Sequence, residues 1–146
     1  MNVTANVELF RAFLPGMRAR KWGRVLFSSS AATISAPSDD HMSMYTATKG
    51  ALNSFTKAAA NEVGPDGITV NTLVLGPYLT DLVQEAIEGL VKVQGPEAAT
   101  AFKRSFATTT SLDRMGESHE VEGVVQLLAS NAGGYITASN LFSDGA

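Results

Sequence analysis

The chain of 146 residues is long enough for one domain with a sizeable core, and 45% hydrophobic against 17% charged residues is ordinary for a soluble globular fold. A net charge of −3 gives no reason to expect a nucleic-acid or anionic-membrane partner. The lack of cysteine excludes disulfides, thiolate metal sites and cysteine nucleophiles, which suits a reducing cytoplasm.

Residues 2–20 place Val3, Val7, Phe10, Leu14 and Met17 at helical spacing, with Pro15 expected to kink or locally distort the helix. The basic group Arg18, Arg20 and Lys21 at its end suits the negative pole of a helix dipole better than a phosphate. Gly23 breaks the helix, and residues 24–28 read as a short buried strand. A loop rich in Ser, Ala and Pro then runs to Asp40. Residues 45–63 form a second helix, closed by the turn chemistry of Gly64-Pro65-Asp66-Gly67. The β-branched run at residues 68–74 is a second strand.

Residues 80–93 carry an apolar stripe of Leu82, Val83, Ala86, Ile87, Leu90 and Val91, and Gly95-Pro96 separates this helix from a shorter one at 97–105. Ser118 fits the N-cap of a helix over 119–129, and residues 140–143 make a last short strand. No apolar run approaches the roughly 20 residues of a membrane span, and MNVTANVELF lacks the charged-then-apolar pattern of a signal peptide. The location expected is cytoplasmic, with no membrane partner. The alternation of helices and strands predicts an α/β fold: a partial Rossmann-like doubly wound arrangement in a single domain, 1–146, with about three parallel strands flanked by helices.

Tyr45 and Lys49 stand four residues apart and so share one helix face. A free phenol titrates near ~10, and a neighbouring ammonium favours the phenolate. Such a pair can exchange a proton with a carbonyl or alcohol oxygen; by itself it is more often an ordinary helix-surface pair. Ser28, Ser29 and Ser30 stand at the carboxyl end of the first strand, where open α/β sheets keep their ligand crevice. A serine run there also serves simply to satisfy strand-end backbone groups. His41 and His119 are far apart with no metal-ligand spacing, so no metal site is expected. Asp39, Asp40 and His41 fit a solvated loop better than a substrate contact.

Taken in order, Asn2-Val3, Gly23-Arg24-Val25, Ser29-Ser30, Tyr45-Thr46-Ala47-Thr48-Lys49, Gly67-Ile68-Thr69-Val70-Asn71, Arg114-Met115-Gly116-Glu117 and Tyr135-Ile136-Thr137 with Asp144-Gly145 resemble the short-chain dehydrogenase/reductase family over essentially the whole chain. The resemblance implies an NAD(P)-dependent oxidoreductase, with NAD or NADP as cofactor and a small-molecule alcohol or carbonyl as substrate. It implies Tyr45 as general acid/base and a cofactor contact, and Lys49 as the group that tunes it and holds the cofactor ribose. Ser30, or Ser29 one register away, polarises the substrate carbonyl. Asn2 belongs, with a water, to a proton relay from Lys49, and Gly76 and Thr80 lie against the nicotinamide.

This sequence departs from the family where it reads Leu75-Gly76-Pro77 in place of a Pro-Gly pair, and in a slightly longer loop before Tyr45. It also contains no glycine-rich pyrophosphate loop. The expectation is therefore a C-terminal catalytic portion of the fold. The alternative is a truncated module that folds and oligomerises without binding cofactor; a Ser30–Lys49 hydrolytic pair has no support beyond residue identity. The bare edge of the first strand and helix faces resembling the family's dimer interface predict a homo-oligomer, a dimer or tetramer.

Overall fold

A computed structural model describes residues 2–35 and 41–145; Asp39 and Asp40 lie outside the described residues. Helix α1 (Thr4–Ala19) runs on through Pro15 and turns Phe10, Leu14 and Met17 toward the core. Its basic end does more than complement a dipole. Arg18 Nε donates to Asp66 Oδ2 at 2.9 Å and Lys21 Nζ to Asp66 Oδ1 at 2.6 Å, fastening α1 to the turn that follows the next helix. These two cations, Lys21 first, hold the Asp66 carboxyl below the usual carboxylate range.

Strand β1 (Gly23–Ser30) takes in all three serines, and a 3-10 turn (Ala31–Thr33) follows it directly. Helix α2 (Ser43–Val63) leads through a second 3-10 turn (Gly64–Asp66) to β2 (Ile68–Leu75). Gly67 makes this passage at φ 73°, in the left-handed region that disfavours a side chain. Strand β2 is buried along nearly its whole length, as expected of the central strand of a parallel sheet covered on both faces.

The second half supplies a two-residue strand β3 (Tyr78–Leu79), helices α3 (Asp81–Gln94) and α4 (Pro96–Ala107), a two-residue strand β4 (Gly116–Glu117), helix α5 (Glu122–Ala129) and β5 (Asn140–Ser143). Strands β1, β2 and β5 form the three-stranded parallel sheet that the sequence predicts, and their order is β1-β2-β5. The small parallel ladder of β3 with β4 was not legible in the sequence, because two residues carry no periodicity. The cap of the last helical segment also differs from expectation. Glu117, not Ser118, forms the N-cap, in a capping box with Glu120 that opens a 3-10 turn (Ser118–Val121) ahead of α5.

The core sits between the sheet and α1 with α2. Phe10, Phe27 and Phe55 meet edge to face, with centroids 5.7–6.3 Å apart. Removing the Phe27 ring would cost about 3–5 kcal/mol, since it is nearly inaccessible to solvent. On the same side, Thr56 of α2 and Thr72 of β2 share a buried hydroxyl–hydroxyl bond at 2.5 Å. Asn71 is fully buried, donates to Ile136 O at 2.7 Å and accepts from Ser139 N at 3.2 Å, which steers the chain into β5. The sheet register then sets Ser30, Leu75 and Ser143 in one row across the carboxyl ends of the three strands.

Candidate active site

The amino-terminal half of α2 is held over the end of β1 by two contacts that use Lys49 at both of its ends. The buried Ser29 hydroxyl donates to the Lys49 carbonyl at 3.3 Å, and Lys49 Nζ donates to the Ser28 carbonyl at 2.9 Å. An ammonium has three donors, so this bond fixes its position and leaves two for a ligand. The same nitrogen lies 5.7 Å from the centroid of the Tyr45 ring, within cation–π range. Tyr45 as a residue is 37% exposed to solvent. The predicted Tyr45–Lys49 pair is therefore brought together at the carboxyl end of the sheet.

Alternation along β1 separates the two candidate serines. Ser29 points to the α2 side and is buried against the Lys49 carbonyl, whereas Ser30 is half-buried and caps the following turn. Its hydroxyl accepts from Ala32 N at 3.3 Å, which leaves the hydroxyl proton available to another acceptor. Among the described residues no hydrogen bond joins Ser30 to Tyr45.

Asn2 is carried to the same place from the other end of the fold. Its amide donates to Thr48 Oγ1 at 3.1 Å, and Thr48 Oγ1 donates to the Tyr45 carbonyl at 2.7 Å. Thr48 is a residue that sequence reasoning missed: one more small polar residue in a helix gives no sign that it bridges Asn2 to the turn holding Tyr45 and Lys49.

Gly76 and Thr80 lie in the segment after β2. Gly76 N donates to Ser143 O at 3.1 Å, and a Cβ at this position would come within 2.5 Å of Asp144 Cα. Glycine is required there so that the β2 and β5 ends can close together. Thr80 caps α3, its Oγ1 accepting from Val83 N at 3.4 Å while keeping its own proton to donate.

Two cavities adjoin this segment. One, of about 360 Å³, is lined in part by Tyr78, Ser143, Asp144, Arg114 and Glu120, the last two joined in a two-pronged pair at 2.6 and 2.7 Å. The other, of about 400 Å³, has Leu75, Gly76 and Thr80 in its wall together with apolar side chains from α3 and α4. His41 is exposed at φ 48°, His119 is exposed in the turn before α5, and no metal-binding group occurs among the described residues.

Known proteins resemble this chain over nearly its whole length. The family model described as enoyl-(acyl carrier protein) reductase matches residues 1–145. The 3-oxoacyl-(acyl-carrier-protein) reductase FabG of Pseudomonas aeruginosa is 31% identical over 140 residues, 96% of this chain and 51% of that protein. A diacetyl reductase ((S)-acetoin forming) of Staphylococcus epidermidis is 37% identical over 102 residues, covering 69% of this chain and 39% of its own. Among solved structures, L-sorbose reductase from Gluconobacter frateurii complexed with NADPH and L-sorbose superposes with a TM-score of 0.88 at 30% identity, over 99% of this chain and 54% of that one. The chain spans about half the length of the curated relatives it matches.

Proposed function

Because the chain belongs to the short-chain dehydrogenase/reductase family, we propose that it takes part in NAD(P)-dependent oxidoreduction between an alcohol and a carbonyl, with Tyr45 as the residue that moves the proton. The observation that carries this reading is Lys49, anchored to the Ser28 carbonyl and placed 5.7 Å from the Tyr45 ring, at the mouth of the sheet. A bound nicotinamide would supply or accept the hydride. In the reducing direction the Tyr45 hydroxyl gives its proton to the substrate oxygen, and in the oxidising direction the phenolate takes it back. Lys49 sets positive charge beside the phenolate that proton donation leaves. The hydroxyl of Ser30 donates to the same substrate oxygen and orients it.

The residues named here fit the nicotinamide and ribose end of such a cofactor; the sequence holds no glycine-rich loop for its pyrophosphate. Lys49 has two uncommitted donors for a ribose diol, and Thr80 keeps a hydroxyl proton for a carboxamide oxygen. Gly76 lies with Thr80 in the wall of the same cavity. Asn2, tied to Thr48, braces the turn of α2 that carries Tyr45 and Lys49. The same proposal includes a cytoplasmic setting and self-association through the exposed faces of α1 and α2.

The test is fluorescence titration of the protein with NADPH and NADH, followed by turnover assays on a panel of carbonyl compounds with wild type and Tyr45→Phe. Quenching or enhancement of nucleotide fluorescence, with turnover that disappears in Tyr45→Phe, is the expected result. Turnover that survives the loss of the phenol hydroxyl would sink the assignment.

A further inference from the structure

We infer that the 400 Å³ cavity beside Leu75 receives an alkyl or aryl substituent of the substrate, and that Val83, Phe106 and Met115 set the length it accepts. The inference rests on the reading of Tyr45 and Ser30 given above, since it names a substrate class for the same site. Leu75 is the register partner of Ser30 on the neighbouring strand, so the cavity begins one strand away from the hydroxyl assigned to the substrate oxygen. Val83 comes from α3, Phe106 from α4, Met115 from the approach to β4 and Val121 from the turn before α5. Four separate elements thus converge on the carboxyl ends of the strands with apolar side chains.

Three polar side chains also line the cavity: Ser118 and Tyr78 have their hydroxyls committed to other protein oxygens, and Thr80 keeps only the proton assigned above to the cofactor. Thr80 Oγ1 accepts from Val83 N at 3.4 Å, Ser118 Oγ donates to Leu79 O at 3.4 Å, and Tyr78 Oη is paired with Ser143 Oγ at 2.5 Å. A polyol entering here would find one free hydroxyl donor in the wall, that of Thr80, for its several hydroxyls, and burying the others without partners is unfavourable. A hydrocarbon chain meets no such penalty and gains contact with a thioether, a phenyl ring and two valines. The volume is within the range of small-molecule sites. The cavity therefore selects against sugar-like substrates and for ketones, or their alcohols, that carry an apolar arm.

The experiment is methyl NMR on the full chain, titrated with 2-butanone, 2-hexanone, 2-octanone and, separately, L-sorbose. Shifts at Val83, Met115 and Val121, with affinity rising about fourfold for each added methylene, are expected, and sorbose should leave these signals in place. Met115→Gln, which keeps the side-chain length, should weaken 2-octanone at least about tenfold while the core signals of Leu52 and Val63 stay where they are. Affinity that does not change with chain length, shifts that map elsewhere, or sorbose binding as strongly as 2-octanone would overturn the inference. Tyr45→Phe is titrated in parallel: unaltered 2-octanone binding is expected there, so loss of the proton-transfer reading and loss of the cavity assignment give different results.

Discussion

The amide of Asn2 donates to the Thr48 hydroxyl at 3.1 Å, although 46 residues separate them, and it does so one position before Lys49. This bond ties the entry to α1 to the catalytic-type turn of α2. Asn2→Ala should lower kcat about tenfold while leaving KM for NADPH nearly unchanged. Because Asn2 is exposed, the loss of folding stability should stay under about 1 kcal/mol. Steady-state kinetics and thermal melting, read side by side, check both halves of this expectation.

Tyr45 and Lys49 should fail in different ways. Tyr45→Phe removes the hydroxyl that donates the proton and should cost about 10²–10⁴ in kcat while leaving most of the NADPH affinity in place. Lys49→Met removes the charge and the bond to Ser28 O, so it should weaken both NADPH affinity and kcat. Fluorescence titration of the two variants separates these outcomes; equal losses of affinity would contradict the division of roles.

Acid should undo the Arg114–Glu120 pair at a defined pH. Hydrogen bonds from Arg114 first, and from the Glu117 N–H second, lower the Glu120 carboxyl from 4.5 to about 2. A carboxyl depressed by folding contributes its stabilisation fully above its unfolded value and loses it as pH falls through its folded value. The difference in Tm between wild type and Glu120→Gln should therefore be constant near neutrality and narrow from about pH 4.5 down to about pH 2. Melting curves at a series of pH values test the window, and a difference that widens on acidification would contradict the assigned pair.

Two glycines should respond oppositely to alanine. A methyl at Gly76 would meet the Asp144 backbone at 2.5 Å, so Gly76→Ala should cost about 1–3 kcal/mol and loosen the β2–β5 end. Gly89 lies inside α3 with nothing near the position of a Cβ, and Gly89→Ala should gain up to about 1 kcal/mol from helix propensity. Denaturant unfolding of both variants gives the comparison.

Leu9 and Phe13 stand 58% and 63% exposed one turn apart on α1, beside the edge of β1 that is not paired among the described residues. Phe13→Glu should shift the protein to smaller species in sedimentation at micromolar concentration. A wild type that already sediments as a monomer would remove the proposed interface.

The sequence alone determined the elements whose residues repeat with a clear period. Apolar spacing marked α1 and α3, β-branched density marked β2, and the turn residues 64–67 closed α2, because these are local consequences of backbone geometry and solvent exclusion. It also marked Tyr45, Lys49, Asn2 and the serines as a set, through family-like order and spacing rather than local physics. Tertiary structure decided what one-dimensional spacing cannot carry. Strand alternation buried Ser29 against α2 and left Ser30 half-exposed, and Thr48 became a bridge only once α1 lay beside α2. Arg18 and Lys21 found Asp66 across two helices, and Tyr78 of β3 found Ser143 at the end of β5. Each of these pairings joins residues at least 20 positions apart or depends on which face of a strand meets a helix, and such choices are made by packing the whole core at once.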